Sequence, residues 1–76
     1  MQGFERITFN PGQMGGRACI RGMRVTVAMV VAQIGSGHSV EEVLAAFPYL
    51  EREDVLEALR YAAWRVEEQD MPWASA

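Results

Sequence analysis

The sequence has no lysine, a single cysteine, a single histidine and only three prolines. A lone Cys19 can form no intramolecular disulfide and supply no multi-cysteine zinc site, so a reducing, cytoplasmic compartment is expected. His38 has no cysteine or second histidine at metal-ligand spacing and reads as a solvent-facing residue between two helices. No apolar run approaches the roughly 18–20 residues that span a bilayer. The stretch from Met1 to Asn10 also lacks the basic-then-apolar order of a signal peptide. No membrane contact, no metal and no cofactor is expected.

What is present is a chain of 76 residues, half of them hydrophobic, which is enough for one small domain. A core of that size hides only about 60–65% of the unfolded surface and nets roughly 3–5 kcal/mol. A partner chain, most simply a second copy in a homodimer, is therefore expected. The formal charge is −3, unevenly distributed. Residues 1–40 carry Arg6, Arg17, Arg21 and Arg24 against Glu5 alone, whereas the acidic residues crowd into residues 41–76. Every basic residue is arginine, whose planar guanidinium suits bidentate bonds to carboxylate or phosphate. The N-terminal half is thus the half suited to meet an anion.

The hydrophobic period changes along the chain. Alternation from Phe4 to Phe9 reads as a strand, Asn10-Pro11-Gly12 and Gly15-Gly16 as turns, Arg17 to Ile20 as a second strand, and Arg21-Gly22-Met23-Arg24 as a further turn. From Thr26, a plausible N-cap, Val27, Val30, Val31 and Ile34 recur at helical spacing. That helix is apolar nearly all round, suiting burial on several sides, and stops in Gly35-Ser36-Gly37. Ser39 and Glu42 form a capping box for a second helix that buries Val40, Val43, Leu44 and Phe47 and ends at Pro48. A third helix runs from about Arg52 to Glu68, with Val55, Leu56, Leu59, Ala62, Ala63 and Val66 on one face. The expected fold is mainly α: a small N-terminal β-hairpin (4–25) before a three-helix bundle with helix-turn-helix connectivity (26–68). The single domain covers 1–70 and a C-terminal tail 69–76.

No constellation reads as catalytic. Glu41, Glu42, Glu51, Glu53, Asp54 and Glu57 have no credible second catalytic group nearby and are expected on a solvated helix face. The glycines Gly12, Gly15 and Gly16 match neither the P-loop nor the dinucleotide fingerprint. Cys19 beside Ile20 reads as a buried reduced thiol, and the five methionines as gap fillers. The candidate binding residues are Arg17, Arg21 and Arg24, three guanidinium groups around one turn, together with Tyr61, Trp64 and Trp73. At 100° per residue Tyr61 and Trp64 fall on the side of the third helix away from Val55 and Leu59, where exposed rings suit a protein interface. The arginines could meet a DNA backbone or an acidic protein. Arg52, Glu53, Asp54 and Glu57 leave the first turn of the third helix net negative, which disfavours phosphate approach there.

The run from Gly15 to Val25, Gly-Gly-Arg-Ala-Cys-Ile-Arg-Gly-Met-Arg-Val, resembles the signature of the prokaryotic domain of unknown function 433. There Gly-Lys-Pro-Val/Cys-Ile-Arg-Gly-Thr-Arg-Ile precedes the first helix. Gly37 to Leu44, Phe47 to Leu50 with Asp54-Val55, and Ala58 to Ala62 resemble its second and third helices. This chain departs from the pattern at Arg17, Ala18, Met23 and Glu51, where the family has Lys, Pro, Thr and a capping Thr. The resemblance implies a homeodomain-like or winged-helix-like tri-helical domain. It further implies a VapB-like antitoxin of a type II toxin-antitoxin pair, encoded beside a PIN-like nuclease toxin. Such nucleases hold divalent metal with clustered carboxylates, which an inserted arginine could engage. The alternatives are a helix-turn-helix DNA-binding transcriptional regulator acting on promoter DNA, and a non-catalytic self-associating module.

Overall fold

The computed structural model describes residues 3–69. Two short strands, β1 (Ile7–Thr8) and β2 (Cys19–Ile20), are followed by three helices, α1 (Val27–Gly35), α2 (Val40–Ala46) and α3 (Arg52–Gln69). The fold is the expected mainly helical one, a small antiparallel hairpin before three helices. The strands pair as Ile7 with Ile20 and Thr8 with Cys19, a ladder much shorter than the alternation suggested. Phe4 leaves it to pack edge-on against Tyr61, with ring centroids 5.4 Å apart. The loop between the strands holds a 3₁₀ turn at Met14–Gly16, whose residues all have positive φ.

On its other side β2 is continued by the chain entering α1. Ile20 N–H donates to Val25 O (2.9 Å), Cys19 bridges to Thr26, and Val27 N–H donates to Ala18 O (2.9 Å). The link is a tight turn closed by Met23 N–H donating to Ile20 O at 2.8 Å. Its central residues, Arg21 and Gly22, have φ of +46° and +72°, the signs of a type I′ hairpin turn.

Both expected helix caps form. Thr26 Oγ1 accepts from Met29 N–H (3.1 Å), Ser39 Oγ accepts from Glu42 N–H (3.1 Å), and Glu42 Oε1 accepts from Ser39 N–H (2.7 Å). The core lies where the hairpin, α1, α2 and the first half of α3 meet, and is centred on Ile7, Ile20, Val25, Val30, Val43, Val55 and Ala58.

Three expectations for α3 are corrected. Val66, assigned to the buried face, is 59% exposed, and Ala63 is exposed beside it. At about 1.5 Å per residue an 18-residue helix is about twice as long as the nine-residue α1, so its second half outruns what could cover it. Tyr61, assigned to the exposed side, is buried at 6% because the hairpin supplies Phe4 and Phe9 against it. Asp54 and Glu57, assigned to a solvated face, are buried by the same packing.

Candidate partner-binding surface

The hairpin is held to α3 by charge. Asp54 sits at the third position of α3 with none of its surface exposed. Arg21 donates to it from Nε (3.0 Å to Oδ1, 3.2 Å to Oδ2) and from Nη2 (2.7 Å to Oδ2). Arg6 Nη1 donates to Oδ1 (2.9 Å), and the Glu51 N–H donates to Oδ2 (2.8 Å). The last bond is half of a capping box, so Asp54 helps begin the helix that carries it. Burial by itself pushes the Asp54 carboxyl up. The bonds from Arg21, the Glu51 N–H and Arg6 outweigh that and hold it down at about 2.

The surroundings complete the clamp. Arg21 Nη2 also reaches Tyr49 O (3.1 Å), and Arg6 Nη1 reaches Glu51 Oε1 (2.8 Å). The backbones join in: Arg21 N–H donates to Arg6 O (2.7 Å), and Arg6 N–H donates to Glu57 Oε2 (2.6 Å). Among the described residues no buried side-chain nitrogen or oxygen lacks a partner. A buried carboxylate with this many donors is stable where an unpaired one would not be.

The expected triplet of arginines is therefore divided. Arg21 has a structural engagement, its guanidinium bonded to Asp54 while its side chain stays 37% exposed. Arg24 lies exposed on the far side of the same turn, and Arg17 lies exposed before β2; neither forms an ion pair with a described residue. Arg17 instead borders a groove of about 480 Å³ between α1 and α3, together with Arg65 and the apolar Phe9, Val31, Ala62 and Val66. A second groove of about 510 Å³ shares Val31, Ala62 and Val66 and is bordered by Leu59, Ala63 and Glu67.

The aromatic residues also divide. Tyr61 is a packing residue at the floor of the first groove. Trp64 remains 38% exposed, leaning on Phe4 (5.7 Å) and Tyr61 (5.9 Å). Trp73 lies outside the described residues. Cys19 is buried, with Sγ donating to Arg17 O at 3.3 Å. His38 is exposed beside Glu42 at 3.5 Å. Among the described residues no three His, Cys, Asp or Glu side chains converge as a metal site would require, and no helix is long and apolar enough to cross a membrane.

The clamp roles of Arg6, Asp54 and Glu57 are not among the expectations from the sequence, where Asp54 and Glu57 are placed on a solvated face. The available signal was Asp54 three residues after Glu51, where a helix without a Ser or Thr cap needs an acceptor for its first backbone donors.

A family model described as "Protein of unknown function (DUF433)" matches residues 7–62, from β1 through most of α3. The chain belongs to the DUF433 family. The clamp partners Arg21 and Asp54 both fall inside the matched region, whereas Arg65 and Glu67 lie beyond it. One DUF433 relative is the uncharacterized protein y4eO of Sinorhizobium fredii, 43% identical over 58 residues. Those residues are 76% of this chain and 26% of the relative. A crystal structure of a DUF433 member protein from Anabaena variabilis is 36% identical and superposes with a TM-score of 0.77, over 83% of this chain and 62% of that one. The chain thus spans about a quarter of the first relative and under two thirds of the second.

Proposed function

We propose that this DUF433 chain is a cytoplasmic antitoxin that neutralises a PIN-like nuclease by presenting Arg24 from a rigid turn. The observation that carries the reading is the division of the arginines. Arg21, one clamp residue, fixes the turn against buried Asp54, and Arg24 is left exposed on that turn with no ion pair to a described residue. A guanidinium held on a fixed loop loses little conformational freedom on binding and offers bidentate bonds to carboxylates. Carboxylates that hold a divalent metal are a matching target, since a guanidinium seated among them would take the ion's place. Exposed Trp64 gives the same chain an apolar anchor of the type that dominates protein interfaces.

The regulator reading has less support. Exposed Glu51 and Glu53 flank the start of α3, the helix that would enter a DNA groove.

The test is capture of partners from the native host with the tagged chain, identification by mass spectrometry, and an RNA-cleavage assay of the bound and released partner. The reading requires a nuclease at near-stoichiometric yield, inactive when bound and active when released. Recovery of the bait alone, or of a nuclease that stays fully active in the complex, would overturn it.

A further inference from the structure

The surface between α1 and the second half of α3 lies apart from Arg24 and carries an apolar stripe, Val31, Ala62 and Val66, that lines two grooves. Every residue from Ala63 to Glu68 is exposed. Val66 stands out at 59% exposure as a ridge between two grooves that both use Val31 and Ala62. Opposite, α1 carries no charged side chain from Val27 to Gly35 and exposes the small Ala28 and Ala32, over which another helix can come close.

The charges bordering this ridge have opposite signs on its two sides. On an α-helix successive residues are about 100° apart, so Arg65 and Glu67 lie about 100° to either side of Val66. Arg65 joins Arg17 on the wall of the first groove, and Glu67 stands on the wall of the second. None of these three residues pairs with a described residue of opposite charge.

We propose that a second copy of this chain docks on this surface, α3 against α3, with Arg65 and Arg17 of each copy facing Glu67 of the other. A twofold contact is self-complementary, so the same patch must supply both halves of every pair. A twofold axis along the Ala62–Val66 stripe exchanges its two flanks, setting the cationic wall of one copy against the acidic wall of its mate. An axis across the stripe would instead oppose cation to cation. Charge complementarity therefore selects the first arrangement, with the two α3 helices side by side in the same direction and Val66 sealed between them.

The test is sedimentation equilibrium of the full chain from about 1 to 300 µM, a range in which mass action shifts a weak dimer visibly. Wild type should be dimeric in the upper part of that range. Val66→Glu should raise the dissociation constant at least about tenfold, because it places a charge in the centre of the contact. Its helical circular dichroism and melting temperature at low concentration should be unchanged, as Val66 is outside the core. Arg65→Glu should weaken the dimer several-fold at low salt, and Arg65→Glu combined with Glu67→Arg should restore it. A wild type that stays monomeric throughout, a dimer that Val66→Glu leaves intact, or a double exchange that fails to restore pairing would overturn the proposal. No nuclease enters the experiment, so its outcome is separate from that of the toxin reading.

Discussion

Arg21 and Asp54, 33 residues apart, share three hydrogen bonds of 2.7 to 3.2 Å that tie the tip of the hairpin to the first turn of α3. The pair explains why an arginine tolerates the left-handed backbone of that turn, with φ of +46°. It also connects local turn chemistry to a contact the small core needs. Phe4 and Phe9 reach α3 through Tyr61, and the buried carboxylate adds the polar tie.

Removing either partner should be costly, and unequally so. Arg21→Ala leaves Asp54 with Arg6 and the Glu51 N–H, whereas Asp54→Ala leaves two guanidinium groups without their shared acceptor and removes a cap from α3. Asp54 is wholly buried but Arg21 keeps 37% of its side chain exposed, so solvent discounts the pair relative to one buried on both sides, and the larger cost falls on the change that also removes the cap. Asp54→Ala is expected to be largely unfolded in urea titrations that leave wild type folded. A double-mutant cycle with Arg21→Ala should show strong non-additivity.

Acid should act through the same carboxylate. Asp54 sits at about 2 in the folded chain against an ordinary value of 3.8, so the folded state holds its proton less tightly than the unfolded one. Its contribution is complete above about 3.8 and disappears as the pH falls through about 2. Glu41, held down by the Arg52 hydrogen bond, and Glu42, held down by the Ser39 N–H, act in the same direction. Melting temperatures of wild type should fall steeply between pH 4 and pH 2, on the order of the pKa interval just given. Asp54→Asn, if folded, should show a shallower fall over that interval; an identical slope would contradict the assignment.

The turn itself offers a separate handle. Gly22 has φ of +72° and open space where a Cβ would stand, so Gly22→Ala tests backbone strain without a clash. A left-handed alanine costs about 1–2 kcal/mol. Chemical denaturation should show a loss of that size, with the helical signal of the folded state unchanged.

Much of the fold was legible in the sequence because it depends on local signals. Thr26, Ser39 with Glu42, and the helical spacing of Val27, Val30 and Val31 act within one or two turns and placed α1 and α2 well. Residues whose fate depends on distant neighbours were misplaced. Tyr61 is buried because Phe4 and Phe9 arrive from the hairpin, and Asp54 because Arg6 and Arg21 do. A helical-wheel reading of α3 contains neither. Val66 was assigned to the core by its period alone, but period does not say how far the covering helix extends. The arginine triplet was legible as a cluster in sequence. Its division into an ion-paired clamp residue, Arg21, and two residues without an ion pair to a described residue, Arg17 and Arg24, needed the sign of φ at the turn and the position of α3.

On the proposed function, Arg21 serves the fold while Arg24 serves the partner. The direct measurement is host-cell capture with tagged wild type and Arg24→Ala side by side, each paired with a thermal melt followed by circular dichroism. Arg24→Ala should melt within experimental error of wild type, since Arg24 is exposed and forms no ion pair with a described residue. It should nevertheless lose most of the nuclease that wild type recovers. Equal recovery of the nuclease by both proteins, or a large drop in the melting temperature of Arg24→Ala, would contradict the division.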